Sequence, residues 1–156
     1  MSVPVNLVRE VGVTTFSHAT EDEDKVEKAM KNLLPEENRD LWLKRKTLKG
    51  YHGDPITILT GKIRTKKGAT GVLWKVVQEL SSLDQQRLLD ELEERLDDGG
   101  NIYIRLGKQN AYLSKVRLLG TDPVKMKFRL RLPHGKDRLE YVRDILNTII
   151  KGEHED

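Results

Sequence analysis

The stretch VKMKFRLRL, residues 124–132, alternates apolar and basic side chains without a break. Successive side chains of a β-strand point to opposite faces of a sheet, so this alternation predicts a strand with one buried and one exposed face. The residues predicted to face the core are Val124, Met126, Phe128, Leu130 and Leu132. The residues predicted to face solvent are Lys125, Lys127, Arg129 and Arg131. Such a strand is typical of an antiparallel sheet that is covered on one face only.

The rest of the chain divides into further strands and amphipathic helices. Other strands are predicted at residues 3–19 (bent at Gly12), 102–106 and 113–119. Residues 41–51 and 56–66 are predicted to form a hairpin around the turn sequence at residues 52–55. Apolar residues at helical spacing predict helices at residues 20–34, 72–80, 82–98 and 136–150. Capping-box pairs, Thr20 with Glu23 and Ser82 with Gln85, are expected to begin two of these helices.

The predicted order is therefore β-α-β-β-α-α-β-β-β-α. Hairpin-length connections pair strands antiparallel, and helices cover the apolar face of such a sheet. We expect a single α+β domain over residues 1–156, with its core at about residues 3–150 and an acidic tail at residues 151–156. Its mainly antiparallel sheet would carry helices on one face and leave the other face open.

The net charge of +3 conceals a strong segregation of charge. The 156 residues include 28 basic and 25 acidic side chains, but residues 41–67 carry a net charge of +7 and residues 101–138 a net charge of +8. Three mainly helical segments, residues 20–40, 79–98 and 139–156, carry −4, −6 and −3. Salt screens exposed charges beyond about 10 Å, so a partner meets the local charge. Basic strands and acidic helices favour a sheet face that binds a polyanion.

RNA is the polyanion that this face would suit. The predicted phosphate contacts are Lys125, Lys127, Arg129, Arg131, Arg105, Lys115, Arg117, Lys44 and Lys46, and His52 in the turn is a further candidate. Four aromatic residues lie among these cations and could stack on unpaired bases, although core packing explains each one at least as well: Trp42, Tyr51, Tyr103 and Tyr112. A charged strand can also simply keep a sheet edge soluble, so this alternative stays open.

Several classes of function are disfavoured. The chain has no cysteine, which excludes disulfides, thiolate nucleophiles and cysteine-based zinc sites. No apolar run is long enough to span a membrane and no signal peptide is recognisable, so we expect a soluble cytoplasmic protein. None of the three Gly-Lys pairs has P-loop spacing, and no nucleophile lies beside a base. His18 and Glu21 are close in sequence, but a strand end and a helix start intervene. We therefore expect no enzyme, no cofactor and no metal.

Three stretches together carry a resemblance to a known family. They are HATEDEDKV at residues 18–26, HGDPI at residues 52–56 and RLGKQNAY at residues 105–112. Their order and spacing resemble those of a family of small archaeal RNA-binding proteins, described as exosome subunits or exosome-associated factors. The similarity covers about residues 7–132.

The resemblance implies a fold similar to that of the ribosomal protein that binds 5S RNA, and a homodimer with exosome components as partners. In our hypothesis Lys108 and Gln109 lie at a loop beside the sheet, where Gln109 would hydrogen-bond a base edge or a 2′-hydroxyl. The sequence departs from the family pattern at Asp54, where Asn is usual, and at Gly107, where Asp is usual. Gly107 is expected to loosen the approach to Lys108.

The leading hypothesis is a non-catalytic RNA-binding protein that acts in RNA processing or degradation, with little sequence preference. The rival is a structural adaptor that docks on a protein partner and has no RNA affinity of its own. A metal-dependent nuclease ranks last, because no converging set of carboxylates is evident in the sequence.

Overall fold

Five strands form one antiparallel sheet in the computed structural model, which describes residues 2–49 and 53–152. The strands are β1 (Val8–His18), β2 (Lys44–Lys49), β3 (Pro55–Ile63), β4 (Asn101–Gly107) and β5 (Pro123–Leu130). The helices are α1 (Glu23–Asn32), α2 (Lys66–Glu79), α3 (Ser82–Asp90), α4 (Leu92–Arg95), α5 (Lys108–Tyr112) and α6 (Arg138–Ile150), with a 3₁₀ turn at Glu36–Asn38. Across the sheet the strands lie in the order β2-β3-β1-β5-β4, so β1 is central.

One face of this sheet is buried under the helices. In β5, Val124, Met126 and Phe128 are fully buried and alternate with exposed cations, as the sequence predicts. The inward residues of β1 and β4 are buried in the same way, and α2 packs across β1. The helix also bonds the sheet directly, because the Thr70 hydroxyl accepts a hydrogen bond of 3.0 Å from the Val8 N–H. The fold class is therefore confirmed: an α+β protein with an antiparallel sheet and helices on one face.

Two predicted helix starts are wrong by one or two residues. Asp22, and not Thr20, caps α1, and its carboxylate accepts the N–H of Asp24 at 2.9 Å. Ser81, and not Ser82, caps α3. Both errors have the same cause: polar residues that accept hydrogen bonds stand next to one another at these starts, and the sequence does not show which one has extended backbone geometry.

The long helix predicted at residues 82–98 is divided. Helix α3 ends at Asp90, and Glu91 has non-helical dihedral angles before the single turn of α4 begins. The apolar spacing still serves the core, because Leu88 and Leu92 are both fully buried.

The strand predicted at residues 113–119 does not form. Helix α5 occupies Lys108–Tyr112 instead, and Ser114 then turns the chain with a positive φ of 60°. Only an isolated bridge between Leu106 and Leu118 continues the sheet here. The expected bend at Gly12 stays a prediction, and the register shift in β1 lies between Val8 and Glu10. Among the helices in the described ranges, none is long and apolar enough to cross a membrane.

Candidate nucleic-acid interface

The face of the sheet opposite the helices carries rows of basic side chains. Residues paired across neighbouring strands share a face, and one such row runs across all five strands: Lys44, Thr60, Thr14, Lys125 and Arg105. The next rows add Lys62 opposite Gly12 and Lys127, and Arg129 opposite Asn101. With strands about 4.8 Å apart, a full row spans about 19 Å. We call this surface the open face, with the cations Lys44, Lys46, Lys62, Arg105, Lys125, Lys127 and Arg129.

The charge on the open face is almost uncompensated. All seven cations are exposed, and within residues 2–49 and 53–152 no ion pair joins any of them to a carboxylate. Glu10 is the only acidic residue in the five strands, and its closest basic partner is Arg64 at 4.0 Å. Arg45 in β2 alternates to the other side and pairs with Glu27 of α1 at 2.8 Å. Arg45 is thus neutralised by α1, whereas the cations of the open face have no carboxylate partner among the described residues.

A depression lies in the middle of this surface. Gly12 has no side chain, and a Cβ built there would meet no atom within 4 Å. The resulting cavity of about 310 Å³ is bordered by Lys62, Lys127 and Arg129, with Glu10 at one side. Three cations therefore converge on a hollow of a size that admits a phosphate group.

Tyr103 supports the two lysines beside this depression. The Nζ atoms of Lys125 and Lys127 lie 5.2 and 5.8 Å from the centre of its ring, within cation–π range. The Tyr103 hydroxyl donates a hydrogen bond of 3.1 Å to Asp97, which anchors the ring. Because the lysines cover the ring, Tyr103 positions cations and is not a free stacking platform.

Asp97 stabilises the connection between α4 and β4, the strand that contains Tyr103. Its carboxylate accepts the Asn101 backbone and side-chain N–H groups and the Gly99 N–H at 2.9 to 3.2 Å. The Asn101 backbone and amide N–H groups, helped by Tyr103, lower the pKa of Asp97 to about 2 although burial acts in the opposite direction.

Asp97→Asn is expected to reduce the free energy of unfolding by about 1 to 2 kcal/mol at pH 7, because one oxygen acceptor is lost. The pKa of Asp97 is lower in the folded state than in the unfolded state. Its stabilisation is therefore present above about pH 5 and lost as the pH falls from about 4 to 2. Urea titrations from pH 2 to 7 should show that the free energy of unfolding falls less at acid pH in the variant than in the wild type. Asp98→Asn, an exposed neighbour, is the control, and an unchanged pH profile in Asp97→Asn would contradict this role.

The remaining predicted RNA contacts are divided among several places. Arg131 is exposed directly after β5, and Arg117 is exposed at the β4 edge, where its carbonyl accepts the Gly107 N–H at 2.9 Å. Lys115 is exposed in the turn after α5. Gln109 is exposed on α5, in a cavity with Lys25 on the helical side of the molecule, and so does not share the open face. His52, like Tyr51, lies outside the described residues.

Lys108 requires a correction, because it is not on an exposed loop. It begins α5, is only 4% exposed, and its ammonium bonds the Phe16 carbonyl at 2.8 Å and the carboxylates of Glu21 and Asp122 at 2.9 Å each. The three N–H donors of a lysine thus meet three oxygens. Lys108 therefore has no free donor for a phosphate in this arrangement.

His18 completes the cluster around Lys108. Its Nε2 lies 3.1 Å from Asp122, and its backbone N–H donates to Glu21 at 3.0 Å. Burial raises the pKa of Asp122, but hydrogen bonds from Lys108 and His18 outweigh it and lower the pKa overall. The His18, Glu21 and Asp122 ligand atoms lie within 4.8 Å of one another, as in a metal site. The Lys108 ammonium, however, already supplies the positive charge that these carboxylates need.

This cluster was not predicted, although the sequence carries a signal for it. Three of its members, His18, Glu21 and Lys108, come from two of the three stretches that carry the family resemblance, and Asp122 lies outside them. Gly107 also behaves differently from the expectation: it is buried, and an added Cβ would overlap the Asn110 side chain, so the approach to Lys108 is tightly packed. The family stretches thus form a structural junction between β1, α1 and α5.

The aromatic residues lie in different places and differ in exposure. Trp42 is 78% exposed and Phe16 is 44% exposed. Tyr112 lies beside α1, where Lys25 and Lys28 approach its ring at 6.0 and 5.3 Å. Of the four proposed stacking residues, only Trp42 presents a largely free ring in the described part of the chain.

These features define an α+β protein with an exposed cationic sheet face suited to a polyanion. A family model described as RNA binding matches residues 10–130. The chain therefore belongs to this RNA-binding family. Across 124 residues it is 33% identical to RNA-binding protein PAB1135 of Pyrococcus abyssi. The aligned region covers 78% of this chain and 80% of the relative.

Solved structures agree with the fold. The chain is similar to protein AF2318 from Archaeoglobus fulgidus, with a TM-score of 0.74 and 31% identity over 88% of this chain and 99% of that one. It is equally similar to Mth689, a DUF54 protein from Methanothermobacter thermautotrophicus, with a TM-score of 0.74 and 28% identity over 90% and 98% of the two chains.

Family membership supports a general RNA-binding role and agrees with the expected archaeal setting. The family description names RNA binding and no reaction, which is consistent with the expectation of a non-catalytic protein. The expected likeness to the 5S-RNA-binding ribosomal protein stays a prediction.

Proposed function

We propose that this protein binds RNA through its open face, without catalysis, and acts in RNA processing or degradation. One observation carries the proposal: strand register brings seven exposed cations from two distant segments onto one face, and none of them pairs with a carboxylate within the described ranges. The mainly helical segments at residues 20–40 and 79–98 carry net charges of −4 and −6, so a polyanion that approaches the molecule is favoured on the side of the open face and disfavoured on the helical side.

The geometry supports backbone recognition. Lys44, Lys62 and Lys127 stand on three different strands, so a strand of RNA crossing the sheet would pass them in turn. The depression at Gly12 would seat a phosphate between Lys62 and Lys127. Contacts of this kind give affinity and orientation but little sequence information, so we expect weak sequence preference.

The same proposal includes the cellular setting. The family resemblance supports association with exosome components and a homodimer, and a cytoplasmic location is proposed with them. Co-purification of the full chain with exosome components after nuclease treatment would separate a protein contact from one bridged by RNA, and sedimentation of the purified chain would give its oligomeric state.

Binding to a single-stranded RNA should fall steeply with salt. Each neutralised phosphate contributes a slope of about −0.7 to the plot of log affinity against log salt, so seven contacts set a limit of about −5. We expect a slope between about −3 and −5 from fluorescence anisotropy at 50 to 300 mM salt. The RNA should also stay intact with Mg²⁺ or Mn²⁺. A flat salt response would overturn the proposed face, and cleavage that EDTA abolishes would overturn the non-catalytic assignment.

A further inference from the structure

Trp42 stands at one end of the open face, in a groove of about 690 Å³ between the start of β2 and the neighbouring β3. Ile58 contributes to the apolar lining. The cations around them are Lys44, Lys46, Lys62 and Arg64. We call this site the Trp42 groove.

Packing on either side of Trp42 explains why its ring is exposed. Leu43 is buried, and Leu41 and Leu43 approach the β3 backbone so closely that a Cβ at Gly61 would overlap both side chains. These two leucines therefore anchor the segment on the helix side of the sheet. Side chains alternate along an extended segment, so Trp42 is directed to the opposite side, where it remains 78% exposed.

The composition of the Trp42 groove points to one kind of ligand. A flat apolar surface surrounded by four cations, with no carboxylate among its lining residues, suits an anion that carries a flat ring. A nucleotide has this chemistry: its base stacks on an aromatic side chain while its phosphates meet lysine and arginine. A base within a duplex has no free face to offer, so the groove selects unpaired residues.

We propose that the Trp42 groove binds an unpaired nucleobase, stacked on Trp42, with the adjoining phosphates on Lys44, Lys46 and Lys62. The proposal rests on the proposed function and makes it more specific, because it names single-stranded segments as the preferred RNA. The rest of the open face would then hold the backbone on either side of the stacked base.

The test compares two ligands of equal charge: a ten-nucleotide uridine RNA and the same ribose-phosphate chain without bases. Binding is measured by anisotropy at 0.1 M salt with the full chain, Trp42→Ala, Trp42→Phe and Trp74→Phe. The wild type should prefer the RNA with bases by about 5- to 150-fold, the range for stacking of one base. Trp42→Ala should lose most of that preference and bind the abasic chain as the wild type does. Trp42→Phe should keep most of it, and Trp74→Phe should change nothing.

Fluorescence gives an independent readout. The chain has two tryptophans, so in Trp74→Phe the emission comes from Trp42 alone and should be quenched by the RNA but not by the abasic chain. Circular dichroism melting would verify that every variant folds.

The outcomes separate the two proposals. If the wild type binds neither ligand, the proposed function fails. If it binds both equally, or if Trp42→Ala keeps the preference for bases, RNA binding stands and the stacking site is overturned. Equal competition by polyglutamate of the same charge would assign the groove to an acidic protein partner. A change of oligomeric state in Trp42→Ala, with the base preference intact, would assign it to a second copy of the chain.

Discussion

Replacing Lys125, Lys127 and Arg129 together by glutamine is expected to weaken RNA binding about 100-fold at 0.1 M salt. Three lost phosphate contacts should make the slope of log affinity against log salt shallower by about 2. If the variant and the wild type bind equally at 1 M salt, this difference in slope gives a difference in affinity of about 100-fold at 0.1 M salt. Glutamine keeps much of the aliphatic part of each side chain, so packing over Tyr103 is largely retained. Anisotropy titrations across a salt series measure both quantities.

A matched control separates the open face from net charge. Lys66, Lys67 and Arg143 are exposed on α2 and α6, which belong to the helical layer. Replacing these three by glutamine removes the same formal charge, from +3 to 0. Lys66 and Lys67 stand in the first turn of α2, where a positive charge opposes the helix dipole, so their loss should not destabilise the fold. Equal weakening by the two triple variants would refute the open face as the binding surface.

Lys108→Met is expected to lower the free energy of unfolding by about 2 to 3 kcal/mol. Its ammonium is the shared partner of Glu21 and Asp122, and removing one member of a buried ionic cluster leaves the others without compensation. The two carboxylates are partly exposed, at 24% and 42%, which keeps the loss below that of a fully buried pair. Thermal melting should show a decrease of about 5 to 10 °C.

Two comparisons show whether Lys108 acts in folding or in binding. Lys115→Met, an exposed lysine nearby, should change stability by less than about 0.5 kcal/mol. Asp122→Asn combined with Lys108→Met should cost less than the sum of the two single changes, because the pair is coupled. Folded Lys108→Met should bind RNA within about twofold of the wild type, and a loss as large as that of the open-face triple variant would restore Lys108 as an RNA contact.

The strand at residues 124–132 was predictable because its two faces differ in chemistry at every position. Period-two alternation fixes both the strand and its buried side, and Lys125, Lys127 and Arg129 are exposed on the same face as Arg105 and Lys44, as the charge distribution indicates. The predicted strand at residues 113–119 had a weaker pattern, since only Val116 and Leu118 alternate inward. There, helix formation by the preceding residues and the turn at Ser114 prevail.

The cluster around Lys108 shows what the sequence did not reveal. A lysine in a polar stretch is usually exposed, and its burial depends on acceptors 87 and 14 residues away that meet only after the sheet has formed. Trp42 is the opposite case, because a tryptophan is usually packed. Its exposure follows from the neighbouring leucines, which occupy the space against Gly61. Both outcomes are set by tertiary contacts.

The alternation within β5 also has a consequence for how this protein can diverge. Val124, Met126, Phe128 and Leu130 hold the core, while the three residues between them make no contribution to it. Mutations at the outward positions can therefore accumulate with little effect on folding. The charge of the open face could therefore change through side chains of a single strand while the buried side chains of the same strand stay as they are. Surface charge and core packing thus depend on different, alternating residues of this strand.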